Sequence, residues 1–341
     1  MGPHVQSPFI DFLNRHMEEI NSYLVSFFLD QTDNADIDAY LYAPLKRYAE
    51  NPGKRHRPLI CMLAAQAVGG DFSSAISAAA AIEHFQSAAL IHDDIADNGH
   101  LRRGKPCMHI TEGEGIAINC GDLALSLVTG SVLDDPSLSD AMKIRLLHEL
   151  VDMTTRTIEG QALDLGWVRD GRFDLTVDDY LCMATHKTAY YSGATPLACG
   201  AIIGGGSEEQ IEALRSFGLD TGLAFQIQDD LLNLIGEKES RNKDFRSDIT
   251  EGKRTLVAVH ALGSETHHDE LVGILSSGTD NPEQLARAVE IFESCGSIEY
   301  AHAYSLELIA RAKQTLAGIE LDERCRSLFI AMADFFVERL N

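Results

Sequence analysis

Apolar residues recur at the spacing of an α-helix along most of this chain, and few stretches alternate as a half-buried strand does. Short turn signals separate the apolar segments, and no Pro/Ser-rich linker divides them. Ser207 followed by Gln210 is a capping-box pattern that opens one long apolar segment. The pattern predicts an all-α protein with one domain over residues 1–341, in which residues 1–10 form a flexible tail. The turn signals are Asn51-Pro52-Gly53, Gly69-Gly70-Asp71, Gly204-Gly205-Gly206 and Ser276-Ser277-Gly278.

Charge and cysteine content exclude several classes of partner. The formal net charge is −24, and nucleic-acid or anionic-membrane partners need a basic surface. The seven cysteines include no CxxC pair, so neither a zinc site nor a disulfide framework is indicated. No N-terminal basic region precedes an apolar run, and no stretch of about 18 apolar residues occurs, so we expect a cytoplasmic protein without a transmembrane segment. Ala75–Ile91 comes closest, but Glu83, His84 and Gln86 interrupt it, which favours an interior helix.

Two aspartate-rich segments, Asp93-Asp94-Ile95-Ala96-Asp97 and Asp229-Asp230-Leu231-Leu232-Asn233, each end a long apolar run. On a helix, the first and fifth residues of such a segment share a face, about 6 Å apart. Magnesium prefers carboxylate oxygens together with water and substrate phosphates. The segments therefore indicate a metal-diphosphate site, although acidic surface is the simpler reading of either one alone. Two further pairs, Asp134-Asp135 and Asp178-Asp179, are interpreted as a loop pair and a first-turn helix pair.

The few basic residues are clustered, which in so acidic a chain indicates dedicated anion sites, with exposed solubility patches as the alternative. Arginines beside a carboxylate cluster suit a diphosphate, because metal and guanidinium oppose its charge from different sides. Lys54 and Arg57 are three residues apart and could share one helical face. The clusters are Lys54-Arg55-His56-Arg57, Arg102-Arg103-Gly104-Lys105 and Lys253-Arg254.

The ordered motifs resemble those of the trans-isoprenyl diphosphate synthases, the polyprenyl synthase family, from about residue 40 to the C-terminus. The resemblance implies a large helical bundle around a deep central cavity, usually a homodimer. It also implies an enzyme that joins an allylic diphosphate to isopentenyl diphosphate head to tail, with several Mg²⁺ ions per active site. The motifs are GKRHRP from Gly53, DDIAD from Asp93, LRRGKP from Leu101, GQALDL from Gly160, KT at Lys187-Thr188, FQIQDD from Phe225 and EGKRTL from Glu251.

The resemblance assigns roles residue by residue. Asp93, Asp97 and Asp229 match magnesium ligands, and Asp94 and Asp230 match the supporting acids. The matched substrate-binding positions are Arg102, Lys187 and Lys253 for the allylic diphosphate; Lys54, Arg57, Arg103 and Gln86 for isopentenyl diphosphate; Thr188 and Gln226 near the reacting carbons; and Lys243 and Asp248 in a loop that closes over the phosphates. The expected catalytic set is Asp93, Asp94, Asp97, Arg102, Lys187, Thr188, Gln226, Asp229 and Lys253.

Asn233 departs from the family pattern, which more commonly has Asp at the fifth position of the second motif. An amide keeps an oxygen ligand but contributes less to cation binding. We therefore expect Asp229 to dominate that side and Asn233 to be a supporting group at most.

The helix before the first motif is expected to set product length, because the growing prenyl chain runs beside it in this family. Ala89 and Ala88 stand four and five residues before Asp93, where aromatic residues mark many fifteen-carbon synthases. Phe85 is the next aromatic on that face, one turn further, and a turn of about 5.4 Å is close to one isoprene unit. We therefore predict a twenty-carbon product, geranylgeranyl diphosphate. A floor on another helix, near Leu123 to Val128, would instead allow longer products; farnesyl diphosphate is the shorter alternative.

Two other functions compete with this interpretation. A terpene cyclase shares the helical bundle and one aspartate motif but needs a single diphosphate, and Lys54, Arg57 and Arg103 argue against it. A non-catalytic subunit that modulates another synthase would lose the aspartate motifs, whereas both are nearly intact here.

Overall fold

A computed structural model describes residues 7–29, 31–51, 53–236 and 246–338. These residues are predominantly helical, which confirms the all-α prediction. Helix α1 begins at Pro8 and Phe9 is fully buried, so the predicted tail through residue 10 is wrong for its last residues. The helices are α1 (Pro8–Ser26), α2 (Ala35–Ile37), α3 (Ala43–Glu50), α4 (His56–Ala67), α5 (Ile76–Ala96), α6 (Met108–Thr111), α7 (Glu114–Leu133), α8 (Asp140–Arg169), α9 (Val177–Ala184), α10 (Thr195–Ile203), α11 (Glu208–Ile235), α12 (Ser247–Thr250), α13 (Leu256–Leu262), α14 (His268–Leu275), α15 (Pro282–Ser294), α16 (Ser297–Ala317) and α17 (Glu323–Val337).

A two-stranded antiparallel hairpin follows α5 and was not expected from the sequence. Strand β1 (Leu101–Arg102) pairs with β2 (Lys105–Pro106). The two turn residues, Arg103 and Gly104, have φ of 54° and 73°. Positive φ at both central residues is the type I′ geometry that matches strand twist. Gly104 adopts it readily, whereas Arg103 gives no sequence signal for it. Two π-helical segments, Asp38–Tyr42 and Thr185–Ala194, and a 3₁₀ segment, Phe72–Ala75, complete the described elements.

The chain divides into two compact units. The first unit comprises Met1–Thr154, Thr195–Arg215 and Gly318–Met332. Within it, α10 packs closely on α4: a Cβ at Gly200 would lie 1.9 Å from the carbonyl oxygen of Cys61, so a side chain there would push the helices apart.

Helix α5 also belongs to the first unit. Residues 77–85 are all buried, which confirms that the Ala-rich segment is an interior helix. The capping box before α11 is also confirmed. Ser207 Oγ accepts a hydrogen bond from the Gln210 backbone N–H at 3.2 Å, and Gln210 Oε1 accepts one from the Ser207 backbone N–H at 2.8 Å.

The second unit comprises Thr155–Ala194, Ser216–Ala317 and Ala333–Asn341. Here the C-terminal part of α8 meets the π-helical segment at a glycine: a Cβ at Gly160 would lie 2.1 Å from the backbone nitrogen of Lys187. Asp179 lies in the first turn of α9 and closes a capping box with Thr176, which confirms the structural interpretation of that acidic pair.

One helix of the described chain, α7, is long and apolar enough to cross a membrane by length and composition alone. Its mean hydropathy reaches 1.6, and 39% of it is buried. It packs along α5, and a Cβ at Gly121 of α7 would lie 2.2 Å from the His92 ring nitrogen Nε2. The helix is therefore partly a core element of the first unit.

Candidate active site

The first aspartate motif ends α5, and its acids divide between two environments. Asp97 is the C-cap, and its N–H donates to the Asp93 carbonyl at 2.9 Å. The side chains of Asp93 and Asp97 are half-buried, whereas Asp94 points into the protein and is 3% exposed. Two oxygen-bearing groups one turn apart therefore remain accessible, and the acid between them is internal.

Arg102, on β1, holds the internal acid in place. Its Nε donates to Asp94 Oδ1 at 2.8 Å and its Nη2 to the same oxygen. Arg102 Nη2 also lies 3.8 Å from Asp93 Oδ2. Burial opposes the charge of Arg102, but the Asp94 carboxylate raises the Arg102 pKa above its ordinary value. The hairpin therefore places a fixed cation beside the accessible Asp93.

A second group of predicted residues meets where α4 begins. Arg57, in the first turn of α4, is 5% exposed, and its Nη1 donates to Gln86 Oε1 on α5 at 3.1 Å. Arg103 donates from Nη1 to the Asn51 carbonyl at 3.2 Å. A Cβ at Gly53 would lie 2.9 Å from Arg103 Cζ, so Gly53 leaves room for this guanidinium.

The expectation that Lys54 shares a helical face with Arg57 is wrong. Helix α4 begins at His56, and Arg55 before it adopts left-handed geometry with φ of 47°. Lys54 therefore lies outside the helix, with an exposed side chain.

An accessible strip runs along α5 to the first motif. We call Gln86, Ala89, Leu90, Asp93 and Asp97 the α5 stripe; each is half-buried, and the spacing places them on one side of the helix. Phe85, one turn before Ala89, is 2% exposed and is therefore buried beside the stripe.

Ala88 faces a different neighbour. It is fully buried in an apolar cluster with Ala117 and Ala124 of α7, against which Leu123 and Leu127 also pack. Ala89 therefore lies on the stripe. Ala88 faces the α7 segment near Leu123 to Val128, which is the alternative limit on product length.

The second aspartate motif lies in α11 and shows the same division. Asp229 and Asn233 are half-buried, and Asp230 is 7% exposed. Tyr180 donates its hydroxyl to Asp230 Oδ2 at 2.9 Å, and Gln226 Nε2 donates to Asp230 Oδ1 at 2.7 Å. Burial, followed by the charge of Asp248, raises the Asp230 pKa well above its ordinary value against these hydrogen bonds. Asp230 therefore has the surroundings of a scaffolding acid.

Asn233 is engaged in structure through both ends of its amide. Its Nδ2 donates to Ser247 Oγ at 3.2 Å, and its Oδ1 accepts from the Asp248 backbone N–H at 3.3 Å. The side chain thus ties α11 to the start of α12. An Asp here could not donate to the Ser247 hydroxyl.

Two predicted lysines of the second unit converge on one acid. Lys187 Nζ lies 2.5 Å from Asp164 Oδ2, and Lys253 Nζ lies 3.2 Å from the same oxygen. Asp164 is 3% exposed. Burial alone would raise the Asp164 pKa, but the charges of Lys187 and Lys253 hold it below its ordinary value. Asp164 therefore holds both lysines at fixed positions, and Glu251 Oε2 lies 3.7 Å from Lys253 Nζ.

Thr188 and Gln226 are also brought together. Thr188 Oγ1 donates to Gln226 Oε1 at 2.6 Å, which extends the chain Thr188, Gln226, Asp230. The amide oxygen retains a second acceptor lone pair. Lys243 lies outside the described residues, whereas Asp248 is half-buried in α12.

The placement of Arg254 in an anion-site cluster is not what the structure shows. Arg254 is 2% exposed, donates from Nε to the Arg172 carbonyl at 2.5 Å and from Nη1 to the Gly252 carbonyl, and lies 3.9 Å from the Phe173 ring centre. Sequence reasoning assigned no role to Tyr180 or Asp164. Glu83, an acid inside an Ala-rich interior helix, was a usable signal, since a buried carboxylate requires a cation nearby.

The sequence profile of the Polyprenyl synthetase family matches residues 38–292 of the chain. The chain belongs to this family. It is 41% identical to the short chain isoprenyl diphosphate synthase of Methanothermobacter thermautotrophicus, over 84% of this chain and 86% of that protein. It is 36% identical to the geranylfarnesyl diphosphate synthase of Natronomonas pharaonis, over 88% and 90%. The crystal structure of geranylgeranyl pyrophosphate synthetase from Pyrococcus horikoshii superimposes with a TM-score of 0.88 at 32% identity, covering 97% of this chain and 98% of that one.

Membership confirms the resemblance found in the sequence and makes the protein a prenyltransferase of the isoprenyl diphosphate synthase class. The all-α architecture is that of its solved relatives. The family generally uses a divalent metal and isoprenoid diphosphates.

Proposed function

We propose that this synthase condenses isopentenyl diphosphate head to tail with an allylic diphosphate and releases geranylgeranyl diphosphate. The observation that carries the proposal is the presence of a cation set in each unit. In the first unit, Arg57 donates to Gln86, and Arg103 lies against Gly53, next to the exposed Lys54. In the second unit, Lys187 and Lys253 are paired through a buried acid. Two anionic substrates need two such sets, whereas a cyclase needs one.

Charge compensation is the main catalytic effect in this proposal. Arg102, Lys187 and Lys253 contact the allylic diphosphate and stabilise it as it departs, because its negative charge grows when the carbon–oxygen bond breaks. The bonding electrons leave with pyrophosphate and an allylic cation remains. The isopentenyl double bond attacks this cation, and the proton then lost passes to pyrophosphate. The Gln226 amide and the Thr188 backbone carbonyl present their dipoles to the cation.

Magnesium is the proposed cofactor, with Asp93, Asp97 and Asp229 as its protein ligands and several ions per site. When bound, it supplies positive charge opposite the leaving diphosphate. The donor set fits, since all three side chains are half-buried carboxylates. Among the residues that the structure describes, no three His, Cys, Asp or Glu side chains lie close enough to hold a metal ion unaided. In this proposal, phosphate and water oxygens complete the coordination, which is the usual arrangement for magnesium.

The twenty-carbon product is supported by the α5 stripe. Ala89 is a small half-buried residue in the turn before Asp93, and we propose that Phe85, one turn further, limits the chain. A chain that grows along this stripe gains room for one more isoprene unit than a chain stopped at position 89. A twenty-five-carbon product is the second candidate, because the relative from Natronomonas pharaonis is named for it.

We also propose that the chain forms a single domain and that two chains associate as a homodimer. Four large apolar residues of α8 repeat every seventh position on its exposed side: Ile144 at 58%, Val151 at 62%, Ile158 at 59% and Leu165 at 36% exposure. A row of exposed apolar side chains at heptad spacing is typical of a helix that packs on another chain. We propose that the partner chain also covers the exposed apolar residues of α7. With these residues covered, the dimer would be cytoplasmic, as the sequence predicts.

Release of pyrophosphate from purified protein tests the reaction class. We expect release when isopentenyl diphosphate, farnesyl diphosphate and Mg²⁺ are all present, and loss of release when EDTA replaces the metal. Release from farnesyl diphosphate alone would instead indicate a cyclase. No release by folded protein would favour a modulating subunit.

A further inference from the structure

A buried ion pair lies beneath the predicted isopentenyl diphosphate site. Arg55 Nη1 donates to Glu83 Oε1, and the two residues are 3% and 2% exposed. Arg55 Nε also donates to Asn21 Oδ1 at 2.8 Å, and its Nη2 donates to the Ala49 carbonyl. All the contacts lie inside the first unit. A pair this buried is costly to form, so a purely structural position would be served equally well by apolar residues.

The backbone at Arg55 links this pair to substrate binding. Arg55 has φ of 47°, a left-handed conformation that is unfavourable for a residue with a Cβ. Its anchored guanidinium holds that conformation, which separates exposed Lys54 from the start of α4. Arg57, two residues later, then lies in the first turn of the helix.

Two side-chain contacts connect the start of α4 to α5. Arg55 pairs with Glu83, and Arg57 pairs with Gln86, three residues further along α5. Burial would raise the pKa of Glu83, but the charges of Arg55, Arg103 and Arg57 together lower it, in that order of strength. The charges of both arginines that are predicted to hold isopentenyl diphosphate therefore act on Glu83.

We propose that Glu83 and Arg55 are positioning residues of the isopentenyl diphosphate site. Arg55 neutralises Glu83, so that Arg57 and Arg103 stay directed to the diphosphate instead of pairing with a buried carboxylate. Glu83 in turn anchors the left-handed residue that orients Lys54 and Arg57. The inference rests on the proposed function for the identity of the anion.

The test is a double-mutant cycle on the full-length protein. Arg55→Met leaves Glu83 to capture Arg57 or Arg103, so we expect KM for isopentenyl diphosphate to rise roughly tenfold or more, with KM for farnesyl diphosphate changed less than about twofold. Arg55→Met combined with Glu83→Met removes both charges at similar volume and should recover part of the loss. Glu83→Gln should raise the same KM severalfold. Arg47→Met with Glu112→Met, an exposed pair at 2.8 Å in the same unit, is the matched control and should change neither KM.

Equal changes in both KM values, or changes in thermal stability alone, would overturn the positioning role. If Arg55→Met does not fold, Glu83→Gln and the double variant test the positioning role through the same comparison, KM for isopentenyl diphosphate against KM for farnesyl diphosphate. Calorimetric titration of each variant with isopentenyl diphosphate separates the two proposals. Wild-type protein that binds the diphosphate without elongating any allylic substrate would sink the proposed function, while the affinities would still report on Arg55 and Glu83.

Discussion

At the scale of single residues, the two aspartate motifs use their acids in the same way. The first Asp of each motif is half-buried, and the second is internal and hydrogen-bonded, Asp94 to Arg102 and Asp230 to Tyr180 and Gln226. The motif pattern alone predicted ligands and supporting acids, and it gave no information on which cation or hydroxyl would support them. Tyr180 comes from a distant position that only the fold brings to Asp230, whereas Arg102 and Gln226 lie near the acids they support in the sequence.

Substitution within the first motif should separate these two roles. Asp93→Ala is expected to lower kcat about a hundredfold or more with folding retained, because it removes a ligand for the charge that offsets the leaving group. Asp94→Ala is expected to lower the free energy of unfolding by about 3 kcal/mol, because the mostly buried Arg102 loses the carboxylate that neutralises it. Turnover and urea unfolding of both variants make the comparison. Near-normal turnover by folded Asp93→Ala protein would exclude its catalytic role.

Product length should respond to the α5 stripe. We expect Ala89→Phe to shorten the product by one isoprene unit and Phe85→Ala to lengthen it, since each moves the end of the accessible strip by about one turn. Ala88→Phe is the discriminating companion: it should destabilise the protein by overpacking against α7 without shortening the product. Mass spectrometry of the products reads out all three. Shortening by Ala88→Phe but not by Ala89→Phe would place the floor on α7.

At the scale of elements, helices were predictable from periodicity and caps, whereas the irregular connections were not. The capping boxes at Ser207 and Thr176 and the interior Ala-rich helix follow from local chemistry. The left-handed Arg55 and Arg103 do not, because each conformation depends on contacts outside its own segment: Arg55 with Glu83, and Arg103 with the space left by Gly53. The expectation for Lys54 was wrong for this reason.

The loop from Glu251 to Arg254 should aim Lys253 at the allylic diphosphate. Arg254 fastens this loop to the Gly252 and Arg172 carbonyls. Arg254→Met is therefore expected to raise KM for the allylic substrate about tenfold while KM for isopentenyl diphosphate stays nearly constant. Steady-state kinetics with each substrate varied in turn provides the measurement. An unchanged allylic KM in a folded variant would show that Lys253 holds its position without Arg254.

The exposed apolar row of α8 gives a prediction about assembly. Val151→Glu should convert the dimer to monomer, because a buried unpaired charge at an interface is strongly unfavourable. Leu306→Glu, at a 45% exposed apolar position on α16, is the matched control and should leave the mass unchanged. Light scattering after gel filtration measures the mass of each protein. A wild-type monomer, or an intact Val151→Glu dimer, would contradict the assignment of this surface.

At the scale of the whole molecule, composition and motif order were enough to predict an all-α prenyltransferase, and membership of the polyprenyl synthetase family confirms it. What motif order could not supply is the scaffold behind the motifs. Asp164 pairs with two lysines, Tyr180 donates to Asp230, and Glu83 pairs with Arg55. The sequence spacing between each of these supporting residues and its partner follows no recognisable motif. Their roles follow from burial and hydrogen bonding in the folded chain.

The condensation reaction is tested most directly by measuring the mass of an isotope-labelled product. Purified protein with Mg²⁺, farnesyl diphosphate and carbon-13-labelled isopentenyl diphosphate should yield geranylgeranyl diphosphate that carries one labelled unit. Absence of label from every prenyl product of the folded, metal-supplied protein would contradict the account.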